Sequence, residues 1–221
     1  MNMQLKKVKA RPDFVSEVYE SLLDAISDGS LAPGTRLTQE QIAEQLEVSR
    51  SPVLQALRLL KKDGFVTDAP GRGVLVAPLD LEWLSNLYDI RSALDQLAVR
   101  LAAEKKYRLD GRIFAEGRKA ASSDDIKRMI DADIAFHYAI YEASGNPLIY
   151  QSAQPYWSHL RRVMGTVLQS SGRRNEIWDE HEAIAEAIST GEVDKAVNLT
   201  AKHAAHAKKG VLNQVRKLVS N

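Results

Sequence analysis

Apolar residues recur every third or fourth position early in the chain, the period of a helix with one buried face. Val15, Val18, Tyr19, Leu22, Leu23 and Ile26 carry it first, so Asp13 to Asp28 is predicted as an amphipathic helix stopped by Gly29. Leu31-Ala32-Pro33-Gly34 reads as a turn. Thr38, with Gln41 three residues later, makes a capping box and opens a second, short helix. Ser49 is placed to cap a third, and Pro52 in its first turn gives up an N–H that would have no intrahelical partner. Val53, Ala56, Leu57 and Leu60 form the inner face of that helix, and Gly64 ends it. Phe65-Val66-Thr67 and Val74-Leu75-Val76 are then predicted strands, joined by the hairpin Pro70-Gly71-Arg72-Gly73.

After Pro78 the strand signals stop. From Leu81 the helical period is nearly continuous, with breaks at Asp110-Gly111, Ser122-Ser123, Ser144-Gly145-Asn146-Pro147, Ser171-Gly172 and Thr190-Gly191. About six helices are expected there. The predicted fold is mainly α: a winged helix-turn-helix over residues 1–78, then an all-α helical bundle over residues 79–221. The junction near residue 79 is short, which predicts two mechanically coupled parts.

Composition alters this picture only at the margins. A chain of 221 residues has room for two modest cores. It has no cysteine, which removes disulfides and thiolate metal sites and fits a reducing compartment. No apolar run approaches the roughly 18 residues that span a bilayer, and the first residues lack a hydrophobic signal core, so a cytoplasmic location without a membrane partner is expected. Net charge is only +1. Its distribution says more: Lys6, Lys7, Lys9 and Arg11 make a basic arm, and Arg36, Arg50, Arg58, Lys61, Lys62 and Arg72 fall on or beside the helix-turn-helix and wing.

Two short helices joined by a tight turn bury little core of their own, and the usual use of the pair is to push the second helix into a DNA major groove. Arg50 and Gln55 sit where long donors reach base edges, with Ser51 placed for phosphate. Arg36 precedes the second helix as a backbone clamp, and Thr38 and Gln41 at that helix's start complete the set. Arg72, between Gly71 and Gly73, can approach the minor groove. Pro33-Gly34-Thr35-Arg36-Leu37, Leu46-Glu47-Val48-Ser49-Arg50-Ser51-Pro52-Val53, Ala56-Leu57, Leu60, Gly64 and the Gly71-Arg72-Gly73 wing together resemble the N-terminal domain of GntR-type bacterial transcription regulators. This chain departs from that pattern in having Leu54 where an arginine commonly contacts a base, and Glu47 where glycine is usual.

The helical half places polar residues on apolar stripes. One stripe runs Ile126, Ile130, Asp133, His137, Ile140, with Asp133 and His137 one turn apart; a second runs Ile177, His181, Ile184, Ile188; a third runs Ala196, Leu199, His203, Ala207. Burying a carboxylate and three imidazoles unpaired costs several kcal/mol, so they need a common partner. A divalent transition metal is the economical one, with zinc first and nickel, iron or manganese as alternatives. His206, one turn beyond His203, is the substitute ligand in another register, and His159 reads as an ordinary histidine. Arg91 lies on the inner face of the Leu81–Lys105 helix, where its guanidinium wants either an anionic ligand or Asp95, one turn on.

Leu87-Tyr88-Asp89-Ile90-Arg91, Asp133-Ile134-Ala135-Phe136-His137, Ser144-Gly145-Asn146-Pro147-Leu148, Glu180-His181 and Ala196 leading to His203 resemble the FCD ligand-binding domain of the FadR branch of the same family. The short Tyr107–Ser123 segment points to its six-helix form, and Asp95 stands where glutamate is usual. The resemblance implies a metal held by Asp133, His137, His181 and His203, and a cavity where a small organic acid meets that metal and Arg91. It also implies a homodimer, with contacts from the C-terminal domains, on an inverted-repeat operator. The expected function is a metabolite-responsive regulator, a repressor by preference. Two rival readings stay open: a metal-dependent hydrolase, and a regulator whose metal is purely structural.

Overall fold

The computed structural model of the chain describes residues 13–170 and 174–219. The basic arm of Lys6, Lys7, Lys9 and Arg11 and the expected break at Ser171-Gly172 lie outside the described residues. The chain divides into two compact units, each with its own core: the first ends at Ala77 and the second begins at Pro78, with Ser27–Ser30 grouped with the second.

In the first unit, helix α1 (Phe14–Ser27) packs Val18, Leu22 and Ile26 against the helix pair α2 (Gln39–Gln45) and α3 (Arg50–Lys62). Val53, Ala56 and Leu60 of α3 are fully buried, as the inner-face pattern requires. Thr38 closes the N-terminus of α2 by accepting from the Gln41 N–H at 3.3 Å, and its hydroxyl donates to Gln41 Oε1 at 2.8 Å. Ser49 occupies the N-cap position of α3 with extended backbone but makes no side-chain cap bond, so the expected cap is positional only. The turn between the helices puts Glu47 at φ 53°, a left-handed conformation that costs a residue with a Cβ about 1 kcal/mol. The glycine substitution noted in the sequence therefore leaves strain in place.

The wing is a three-stranded antiparallel sheet ordered β1-β3-β2, with β1 (Arg36–Leu37), β2 (Val66–Asp68) and β3 (Val74–Val76). Two corrections follow. β1 was not predicted, because two residues carry no period. β2 starts one residue later than expected: Phe65 is buried and bonds Ala77 through its carbonyl instead of entering the ladder.

The second unit is all helix: α4 (Leu81–Glu104), α5 (Gly111–Ala121), α6 (Ile126–Ser144), α7 (Pro147–Ser170), α8 (Arg174–Thr190) and α9 (Val193–Val219). Asp80, Asp110 and Asp125 cap α4, α5 and α6. Gly145, at φ 67°, ends α6. Helix α4 lies against α9, α6, α8 and α7, so its inner face sits at the centre of the bundle. That face carries Leu84, Leu87, Tyr88, Arg91, Asp95, Ala98, Val99 and Ala102, all buried, while Leu94 and Leu101 at its border are half-buried.

Candidate functional site

On the first unit, Arg50, Ser51, Gln55, Arg58 and Lys62 are exposed along one side of α3, and Leu54 among them is half-buried. This is the face that a recognition helix presents to a groove. Arg50 is paired with Glu40 of α2 at 3.2 Å, both well exposed, a pair too solvated to add much stability. Lys61 is held by Asp68 of β2 at 2.6 Å. Thr38 and Gln41 are turned toward each other in the capping box, with Thr38 half-buried and Gln41 exposed. Arg36 is engaged elsewhere too: its guanidinium donates to the Arg72 carbonyl, from Nε at 3.1 Å and Nη2 at 2.8 Å, and to the Pro70 carbonyl. The Arg72 side chain is exposed at the tip, with Gly71 and Gly73 at φ 85° and 90° on either side.

In the second unit, α6, α8 and α9 bring Asp133, His137, His181 and His203 to one point. One ring nitrogen from each imidazole lies within 4.8 Å of the others. His181 Nε2 is 3.4 Å from His203 Nε2 and 3.5 Å from Asp133 Oδ1, and His137 Nε2 is 3.9 Å from Asp133 Oδ2. A tetrahedral ion with bonds of about 2.1 Å has ligand–ligand edges of about 3.4 Å. The His181–His203 and His181–Asp133 separations are near that edge, the His137–Asp133 separation is wider, and the donor types are those that could hold such an ion. All three imidazoles are buried. Burial pushes the His137 and His181 pKa values well below the usual histidine range, helped by Arg91 and by the neighbouring imidazoles. Both rings are therefore neutral near pH 7, and the Nε2 lone pair of His137 accepts from Arg91 Nη2 at 2.8 Å, a bond that an ion taken at that nitrogen would displace. Burial also raises the Asp133 carboxyl, against the pull of Arg91.

The residues around these four set their orientation. Glu180 of α8 accepts from His203 Nδ1 at 2.8 Å and from His206 Nδ1 at 2.9 Å. With Nδ1 engaged by Glu180, Nε2 is the His203 nitrogen turned toward the cluster. Partial burial pushes the Glu180 carboxyl up, but these two hydrogen bonds outweigh it and hold the group at about 2. Phe136 stacks on the His181 ring at 3.9 Å, and Trp178 meets it edge-on at 4.9 Å. His206 is half exposed on Glu180, and His159 lies against the Trp83 ring.

Of the two partners expected for Arg91, an anionic ligand or Asp95, the structure shows Asp95, and it adds an unexpected contact with His137. Its Nε lies 3.3 Å from Asp95 Oδ2, its Nη2 is 2.8 Å from His137 Nε2, and its guanidinium covers the Trp157 ring at 4.2 Å. Tyr141 donates to Asp95 Oδ1 at 2.5 Å and accepts from Trp157 Nε1 at 3.3 Å. Sequence reasoning passed over Tyr141, Trp157 and Trp178, because a core aromatic on a helical stripe gives no sign of a polar task. The placement of Tyr141 one turn past His137 was the available signal. Beside the cluster is a cleft of about 10 Å³ lined by Asp133, Arg174, Ile177, Trp178, Met129 and Ala121. That holds about one water molecule. No helix among the described residues is long and apolar enough to cross a membrane.

A winged helix-turn-helix followed by an all-helical unit with a buried Asp/His centre defines a class, the two-domain DNA-binding transcription regulators. Residues 14–76 match the bacterial regulatory proteins of the gntR family, and residues 86–206 match the FCD domain. The chain belongs to the gntR family of bacterial regulators, in the group that carries an FCD domain. It is similar to the HTH-type transcriptional regulator YdhC of Bacillus subtilis, 36% identical over 89 residues, a match spanning 40% of each chain. It is 26% identical over 202 residues to the gluconate operon transcriptional repressor of Bacillus subtilis, covering 86% of this chain and 80% of that one. A GntR transcriptional regulator structure from Rhodococcus sp. RHA1 superposes with a TM-score of 0.74 at 26% identity, covering 90% of this chain and 97% of the other. The family and these relatives are transcription regulators and not enzymes, which disposes of the hydrolase reading.

Proposed function

We propose that this DNA-binding regulator is a repressor that grips an inverted-repeat operator as a homodimer and lets go when a small carboxylate metabolite binds beside a divalent metal ion, zinc first among the candidates. The convergence of three buried imidazoles and a carboxylate on one point carries the reading. When bound, the ion supplies a fixed Lewis-acidic point for a carboxylate oxygen. Asp133, His137, His181 and His203 hold it, and Glu180 fixes the His203 ring. Arg91 and Asp95 cancel each other's charge, and Asp133 offsets only half of a divalent ion's, so the centre keeps positive charge for an anionic ligand. The adjoining cleft by itself admits little more than a water, so an organic acid taken up there displaces lining side chains such as Ile177 and Trp178 of α8. A ligand that fits better once those side chains have shifted binds that arrangement more tightly, and such differential affinity is what a population shift requires.

Three of the most exposed large apolar residues in the second unit, Trp83, Ile90 and Leu97, lie seven residues apart along α4. A heptad stripe on a long helix suits a second copy of the chain. Leu97→Glu is expected to convert the dimer to monomers in sedimentation velocity and to weaken operator binding; a dimer that survives at micromolar concentration removes α4 from the interface.

Glu180→Gln is expected to lower zinc affinity by about 10- to 100-fold with the melting temperature of the metal-free protein little changed. Competition against a chromogenic chelator measures it, and equal affinity would mean that Glu180 does not orient His203. The whole reading is tested by footprinting a duplex selected by the protein from random sequence, with organic acids added before and after chelation. Operator affinity that ignores every acid, with metal present, overturns it.

A further inference from the structure

The wing geometry points to a role for Arg36 that differs from a phosphate clamp: we propose that it is a positioning residue that braces the wing tip and acts on DNA only through Arg72. The tip loop is closed by a single long backbone bond, from the Ala69 N–H to the Gly73 carbonyl at 3.3 Å. Gly71 and Gly73 both take left-handed backbone, φ 85° and 90°, a conformation that glycine adopts freely and also leaves freely. Such a loop has little rigidity of its own. Arg36 supplies it from the neighbouring strand, where it pairs with Leu75 of β3. One planar guanidinium spans the Pro70 and Arg72 carbonyls, with two of its three bonds going to Arg72. A fork of that shape fixes two acceptors at once, which a lysine ammonium does less well.

Two further observations agree. A Cβ on Gly73 would lie 2.4 Å from the Leu37 carbonyl oxygen, so the loop is drawn tightly against β1. The carbonyls that Arg36 covers flank the Arg72 side chain, and bare carbonyl oxygens there would repel a phosphate backbone. A guanidinium committed to both has fewer donors left for DNA.

The proposal depends only on DNA binding, not on the metal or metabolite. The probe is a duplex selected by the wild-type protein from a random-sequence library, with dissociation constants measured at several salt concentrations. Arg72→Ala is expected to weaken binding and to flatten the dependence of log affinity on log salt by about 0.9. Arg36→Ala alone is expected to weaken binding by about tenfold, because the unbraced Arg72 loses its contact. In the Arg72→Ala background, Arg36→Ala should then add nothing, in affinity or in salt dependence. A further loss with a further flattening of about 0.9 would reveal an independent phosphate contact and overturn the proposal. Arg36→Gln covers the case in which the alanine variant fails to fold. Its amide keeps a donor for the carbonyls without the charge, so binding within about threefold of wild type is expected. A glutamine variant as weak as the loss of Arg72 sinks the bracing role.

Discussion

Zinc at a thousandfold excess over its dissociation constant is expected to raise the melting midpoint of the helical unit by about 10 °C, and EDTA to return it. The size follows from linkage. A ligand bound only by the folded state adds about 4 kcal/mol at that excess. A unit of this size moves by about 2–4 °C for each kcal/mol. The unfolded chain offers no competing site of similar quality, because only Asp133 and His137 are neighbours in sequence. His181→Ala removes the ligand that touches both Asp133 and His203, at 3.5 and 3.4 Å, and should abolish most of the shift. Differential scanning calorimetry with and without the ion decides the matter. A wild-type midpoint that does not move, or a His181→Ala midpoint that moves equally, would show that the cluster is not a metal centre.

The second large effect is expected at Gly117. It lies in the middle of α5, where alanine would ordinarily stabilise a helix by about 1 kcal/mol. Here the sign reverses. A Cβ at Gly117 would sit 2.1 Å from the Trp178 ring, well inside any permitted contact. Trp178 is 3% exposed and wedged against Phe136 and His181, so it has nowhere to go without disturbing both. Overpacking of this kind costs about 1–3 kcal/mol beyond the helix gain. Gly117→Ala should therefore lower the melting midpoint by several degrees, and should weaken zinc binding through the displaced His181 ring. Trp178→Leu in the same chain should recover part of the stability. An alanine variant that melts higher than wild type would mean that the ring has room to move.

Much of this protein was legible before the structure, and the residues show why. Asp133, His137, His181 and His203 announced themselves because polar groups on apolar stripes break a period that neighbouring residues establish. Thr38 and Gln41 were readable because a capping box is local. What stayed hidden depended on partners far along the chain. The reason for Gly117 lies in Trp178. Arg36 reaches the carbonyls of Pro70 and Arg72, and backbone acceptors leave no mark in a sequence. Glu180 counted toward the family resemblance only as the neighbour of His181, on a helix whose outer face is full of carboxylates, and its task showed once His203 and His206 were found on it. The Arg91–Asp95 pair was visible as a spacing, yet its contact with His137 required the packing of α4 on α6.

The two cores are completed at different moments of synthesis. Everything the groove reader needs, from α1 to β3, has been translated once residue 77 leaves the ribosome, and domains fold from the N-terminus as they emerge. The ligand cluster needs α9, because His203 and the Glu180 bond that orients it come from either side of the last turn between helices. A nascent chain thus owns a reading head well before it owns a closed Asp/His cluster, and premature truncation anywhere in between would leave the former without the latter.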